Sequence, residues 1–263
     1  MTARAALLAL ALSVALAGPA AAQPPQGIVR PDNEARLSLR QLGEQLFAGN
    51  CSTCHGIDGR GVTSPAPRRG AGDITGRGPS LRGVGALAAD FYLRTGYMPL
   101  GSVGEQPKRS RPLFSDREIG ALVDYVHSLG DGPPIPNPHP ERGSLSKGLT
   151  LFTEHCAGCH QVAAQGGVAP GARIPPLEDA TPTQVAQAVR IGPYVMPRFS
   201  KRDISDAELN SIVRYVEYAK HPADRGGWGI GNLGPVPEGI VTWFIAATLF
   251  LAFCIIIGQR LRS

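Results

Sequence analysis

Cys51, Cys54 and His55 stand in the spacing C-x-x-C-H, and Cys156, Cys159 and His160 repeat it. Two thiols three positions apart lie on one side of a single helical turn. Each can add to a vinyl group of the same porphyrin, and the histidine that follows then stands under the iron as an axial imidazole. A lone C-x-x-C is equally a redox pair or half a zinc site. Two copies that both end in histidine use four of the five cysteines and point to two covalently bound c-type haems. A zinc site built from the four cysteines, or from two cysteines and two histidines, is disfavoured. Ligand pairs in such sites lie only tens of residues apart, and these motifs are much further separated.

A c-type iron with a proximal imidazole commonly takes a thioether on its other face, which raises its reduction potential. Apart from the initiator, the chain has two methionines, and both precede proline: Met98-Pro99 and Met196-Pro197. A methionine is ordinarily a core gap-filler. Here each follows one C-x-x-C-H motif after a similar interval, so Met98 and Met196 are the expected axial partners of His55 and His160.

The elements that must position these groups repeat as well. Aligned on the cysteines, Gly43, Leu46 and Phe47 match Gly148, Leu151 and Phe152. Leu39, Leu42, Leu46 and Phe47 fall at helical spacing, which predicts a helix over 36–48 running into Cys51. After each motif come a Gly/Pro-rich loop, a short helical stretch and the Met-Pro. Then Ser115-Asp116-Arg117-Glu118 and Ser205-Asp206-Ala207-Glu208 open a last helix with capping boxes. Its apolar face repeats in register: Ile119, Leu122, Val123 and Val126 against Leu209, Ile212, Val213 and Val216, with Tyr125 against Tyr215. The first half carries extra residues in the loop 60–78 and in 101–112. The second insertion holds Lys108, Arg109 and Arg111, read as a solvated surface or as a patch steering an acidic redox partner.

The remaining segments give the domain plan. Residues 1–22 read as a secretory signal or an uncleaved N-terminal anchor: Arg4, an apolar run, then Ala20-Ala21-Ala22. A flexible lead-in follows over 23–35, then the first domain over 36–130. The Pro-rich stretch 131–143 reads as a semi-rigid connector, 144–222 as the second domain and 223–239 as a Gly-rich neck. The spelling Gly229-x-Gly231-x-x-Gly234 is not a dinucleotide fingerprint, because no strand precedes it and Pro235 follows. Residues 240–258 read as a transmembrane helix; Ile240–Ile257 carries no charge and spans roughly 27 Å as a helix. Trp243 sits near one boundary, and Arg260 and Arg262 in the tail 259–263 place the C-terminus in the cytoplasm. Cys254, within the span, is read as inert. His127, His139, His155 and His221 show no metal spacing and are read as surface residues.

The chain has 263 residues, room for two small domains. Only 6% are aromatic, while 33 are Gly and 24 Pro. That suits loop-rich domains whose cores are completed by a large flat group. The net charge of +5 is concentrated at the ends, in Arg4, Arg260 and Arg262. No basic face interleaves with aromatics, so a nucleic-acid partner is excluded.

Each half resembles a class I cytochrome c domain, which implies an all-α fold: two tandem cytochrome c domains followed by one transmembrane helix. In that family a proline carbonyl downstream of the motif holds the far ring nitrogen of the proximal histidine; Pro79 and Pro176 are the expected residues. The order of segments, and the neck from Gly226 to Gly239, resemble the dihaem cytochrome c subunit of the actinobacterial menaquinol–cytochrome c reductase, the bcc complex. That resemblance implies cytochrome b, Rieske iron–sulfur and cytochrome c oxidase partners. It also implies a role in the cell membrane, with the haem domains on the extracytoplasmic side. Electrons would pass from the Rieske protein through two haems to the oxidase, and quinol chemistry would stay in the partner subunits. The alternatives are another anchored dihaem carrier serving a dehydrogenase or an oxidase, and an open-site haem enzyme such as a peroxidase.

Overall fold

The computed structural model describes residues 27–62, 78–100, 106–222 and 235–261. The export segment 1–22, most of the loop 60–78, the start of the basic loop and most of the Gly-rich neck, including Gly229, Gly231 and Gly234, lie outside the described residues. Up to Lys220 the chain forms one unit; His221 onward forms a second.

The first domain is built from α1 (Leu39–Asn50), a four-residue turn α2 (Ser52–His55), α3 (Gly85–Arg94) and α4 (Asp116–Ser128). The second repeats the order with α5 (Leu145–His155), α6 (Ala157–His160), α7 (Pro182–Ile191) and α8 (Asp206–Lys220). It adds a small antiparallel hairpin, β1 (Gly167–Ala169) with β2 (Ala172–Ile174), paired Gly167 to Ile174. Among the described residues all other regular elements are helices, as expected; the hairpin was not expected. Its strands are three residues each and the turn between them is Pro170-Gly171, too short a pattern for alternation to be legible.

The helix expected over 36–48 begins later, at Leu39, because Ser38 and Gln41 form a capping box: the Ser38 hydroxyl accepts from Gln41 N and the Gln41 side chain accepts from Ser38 N. Leu39 therefore sits in the first turn and is half exposed, while Leu42, Leu46 and Phe47 are buried. Ahead of the helix the lead-in is held in place. Val29 N donates to Asn50 Oδ1, and Arg30 pairs with Glu118 at 2.6 Å.

In each domain the first helix crosses the last. Gly43 lies against the Ala121 carbonyl, and Gly148 against that of Ser211. The ring of Phe47 meets Tyr125 at 5.0 Å, and that of Phe152 meets Tyr215 at 5.2 Å. The aliphatic faces expected on α4 and α8 are all buried. Both capping boxes form; Ser115 N donates to Glu118 Oε2 and Ser205 N to Glu208 Oε2.

A further repeat was legible but unread. Arg94, at the end of α3, reaches Asp116 at the start of α4 (2.7 Å), and Arg190 reaches Asp206 in the same way (2.9 Å). The connector 131–139 has no regular secondary structure, and it touches the first domain where Leu87 N donates to Pro133 O. Helices α3 and α7 pack on one another, joining the domains.

In the second unit α9 (Pro235–Arg260) contains a stretch, Gly239–Arg260, long and apolar enough to cross a membrane. Trp243, Phe244, Leu249, Phe250 and Phe253 are exposed on it. An apolar surface all round a helix suits lipid rather than water.

Candidate haem centres

Each C-x-x-C-H motif occupies the turn that closes an N-terminal helix. Cys51 N donates to Phe47 O as the cap of α1, and His55 N turns back to Cys51 O at 2.9 Å. The second motif copies this, with Cys156 N to Phe152 O and His160 N to Cys156 O at 2.9 Å. The tight turn places the two thiols and the imidazole of each motif together on a few residues of backbone. The residue after the histidine leaves the turn at positive φ. In the first domain it is Gly56 (φ 77°); in the second it is Gln161 (φ 60°), a side chain in the left-handed region.

The histidines are oriented by backbone carbonyls. His55 Nδ1–H donates to Pro79 O at 2.7 Å, as expected. His160 Nδ1–H donates to Pro175 O at 3.2 Å, not to the Pro176 carbonyl. The reason is visible in the loop. Leu81 N donates to Gly59 O and Leu177 N to Ala164 O, so the two leucines are equivalent anchors. Pro79 lies two before one, and Pro175 two before the other. Both bonds commit Nδ1 and leave Nε2 for an iron. Burial pushes the His160 imidazole below its ordinary value, against the opposing bond to Pro175; the neutral ring is the form that binds metal.

Burial, with a smaller contribution from the paired cysteine, pushes the Cys51 thiol up to about 12 and that of Cys156 to about 11. Both are protonated at physiological pH in the chain by itself. Among the described residues no cluster of three or more His, Cys, Asp or Glu side chains could hold a metal ion. The donor set of each turn is two cysteine sulfurs and one imidazole whose Nε2 is left for a metal, which fits a porphyrin joined by two thioethers.

Met98 and Met196 are half-buried, each in the turn that follows α3 or α7. Met98 N donates to Tyr92 O, and Met196 N to Pro193 O. In the second domain one apolar cluster contains Cys156 and packs Leu177, Met196 and Phe199 at its margin. In the first, Cys51 and Leu81 border the corresponding cluster, while Met98 follows an aromatic group in which Phe91 meets Tyr92 and Tyr97 edge-on. Burial raises both tyrosine phenols, so they stay neutral.

The other histidines serve locally. His139 Nδ1 pairs with Glu141 Oε1 at 3.0 Å, the His155 ring meets Phe199, and His127 and His221 are exposed.

Residues 41–130 match the family model described as cytochrome c, and residues 143–216 the model described as cytochrome C oxidase, cbb3-type, subunit III. The cytochrome bc1 complex cytochrome c subunit of Corynebacterium diphtheriae is 33% identical over 275 residues, which cover 96% of this chain and 93% of that protein. The subunit of the same name from Mycobacterium tuberculosis is 35% identical over 263 residues, 97% of this chain and 89% of its own length. The cbb3-type cytochrome c oxidase subunit CcoP of Azospirillum sp. is 29% identical over 194 residues, 66% of this chain and 60% of the relative.

Proposed function

The chain belongs to the family of cytochrome c subunits of the cytochrome bc1 complex, and from that premise we propose that it is the dihaem electron-transfer subunit of a menaquinol–cytochrome c reductase. Its two cytochrome c domains bind haem c covalently and transfer electrons. Membership of a membrane complex and the apolar α9 fit a membrane-anchored subunit.

In this reading Cys51 and Cys54 hold one porphyrin through thioethers, and Cys156 and Cys159 hold the other. His55 with Met98, and His160 with Met196, would hold the two irons. Bound there, the haem groups would supply one-electron chemistry. The chain's own residues do the rest. Pro79 O and Pro175 O fix the imidazole planes. The thioethers of Met98 and Met196 would favour the reduced state and would take the position that peroxide or another substrate needs. The crossings of α1 with α4 and of α5 with α8 hold each C-x-x-C-H turn rigid, so little reorganisation accompanies each transfer.

Electrons enter from a Rieske iron–sulfur protein and leave to a cytochrome c oxidase; cytochrome b carries the quinol chemistry. The haem domains face the extracytoplasmic side, and Arg260 and Arg262 remain in the cytoplasm.

The observation that carries this reading is that a full-length match to the cytochrome c subunits coincides with two complete sets of Cys, Cys, His and Met. A role in an oxidase or a dehydrogenase is less well supported, since the oxidase relative aligns with only two thirds of the chain. The test is to purify the membrane complex, identify its subunits and measure pyridine haemochrome per chain. Two haems per chain, with cytochrome b and a Rieske protein present, are expected. A dehydrogenase in place of cytochrome b would overturn the assignment.

A further inference from the structure

The basic loop of the first domain is exposed over 108–111 but is tied down by hydrogen bonds to both of its neighbours. Ser110 N donates to Thr95 O (3.0 Å) and Ser110 Oγ to Gly96 O (2.9 Å), which fastens the segment to the turn just ahead of Met98. From there Arg109 reaches into the second domain. Its Nη2 donates to Asp179 O at 2.6 Å and to Gln184 Oε1 at 2.8 Å. Gln184 is the third residue of α7 and part of its capping box, so the guanidinium grips the first turn of that helix. Gln106 makes the other attachment. Its amide donates to Arg173 O (2.5 Å) and accepts from Arg173 N (2.9 Å), pairing with β2 as another strand residue would.

A second contact lies where α3 crosses α7. Gln187 is fully buried; its Nε2 donates to Asp90 Oδ2 at 2.8 Å and to Leu87 O at 3.4 Å. Asp90 is also buried, and its other oxygen accepts from Arg94 Nε at 2.7 Å. A buried carboxylate stays only where its oxygens are matched, and half of that matching comes from the other domain. Helices α3 and α7 are the two that run into the methionine turns.

We propose that Gln106, Arg109 and Gln187 are positioning residues that clamp the first methionine turn and its helix onto the second domain, and so fix the geometry between the two haem centres. This rests on the two-haem reading above. It assigns Gln106 and Arg109 to the chain's own second domain, while Lys108 and Arg111 stay exposed. The Arg109 guanidinium is taken up by a backbone carbonyl and a helix-capping amide, and neither carries charge.

The test uses the full-length haem-loaded chain in detergent. One variant is Gln106→Ala with Arg109→Ala. Another is Gln187→Glu, which sets a second carboxylate against Asp90, with Asp90→Asn/Gln187→Glu as its rescue, since a carboxamide at position 90 can donate to a carboxylate at 187. Amide hydrogen exchange at Arg173 is read together with electron transfer between the two centres after photoreduction of one. Losing hydrogen bonds of this kind should speed Arg173 exchange by about tenfold or more in the double-alanine variant, with the amides of α4 and α8 unchanged. Transfer between the centres should slow and become multiphasic in that variant and in Gln187→Glu. The haem spectra and potentials should hold, and the rescue should restore the rate.

Electron transfer at the wild-type rate in both variants overturns the proposal, as does failure of the rescue in a chain whose helices remain protected. A wild-type mass carrying one porphyrin overturns the two-haem reading instead; Arg173 exchange then still decides whether the segment clamps the domains.

Discussion

Gly43 lies against the backbone carbonyl of Ala121 with no room for a methyl group between them. That contact sets how closely α1 approaches α4, and so where the first C-x-x-C-H turn stands at the end of α1. Gly43→Ala should destabilise the first domain by about 1–3 kcal/mol or more, since the backbone it meets cannot turn aside. Gly148→Ala should do the same in the second domain, against Ser211. Gly120 is also in α4 but has open space where a side chain would go; Gly120→Ala should instead stabilise by about 0.5–1 kcal/mol. Denaturant unfolding of the three variants checks the contrast.

Glu118 ties the lead-in to the capping box of α4. Burial pushes its carboxyl up, but the hydrogen bonds from Arg30 and Ser115 outweigh that and leave it below its ordinary value. A depressed carboxylate stabilises the fold above the ordinary carboxylate range, and the contribution is lost as pH falls through the lowered value. Glu118→Gln should therefore cost about 1–3 kcal/mol near neutral pH and flatten the acid side of the first domain's stability profile. In the second domain Glu208 is held down at about 2 by Ser205 and Lys147, so its box should persist to lower pH. Unfolding of each domain as a function of pH separates the two.

Loss of either axial thioether should change one centre and leave the other. Met98→Ala and Met196→Ala should each lower one reduction potential, while the mass of both covalent porphyrins is retained. Redox titration with intact-mass measurement tests this; two unchanged potentials would show that the methionines are packing residues.

Gln161 holds a backbone conformation that its counterpart Gly56 adopts freely. Gln161→Gly should stabilise the second domain by roughly 1 kcal/mol if that strain is relieved without other loss. Thermal unfolding followed in the haem region is the measurement. A destabilised variant would mean that the side chain supports the loop around β1.

Much of the fold was legible because the chain states it twice. The buried faces of α4 and α8, both capping boxes and the two motif turns follow from periodicity and spacing, and the structure reproduces them. The start of α1 was misread because four leucine and phenylalanine positions were weighted above the Ser38–Gln41 cap. The expectation of Pro176 fails because the loop places the accepting carbonyl two residues before the anchoring leucine in both domains, at Pro79 and at Pro175. The engagement of Arg109 and Gln106 was not legible. Both contacts reach residues in the other half, and nothing local in the sequence distinguishes an arginine that docks from one that is hydrated. In the sequence nothing sets Gln187 apart from other polar helix residues; only the partner helix makes it a buried one.

The proline segment leaves the two cytochrome domains permanently within reach of each other. What would be a collision between separate proteins becomes a first-order event, whose rate is set by tether length and docking rather than by how much protein is present. Dilution cannot starve that step, and added salt acts on it only through contacts already made. A change on one domain's facing surface must then be answered within the same gene.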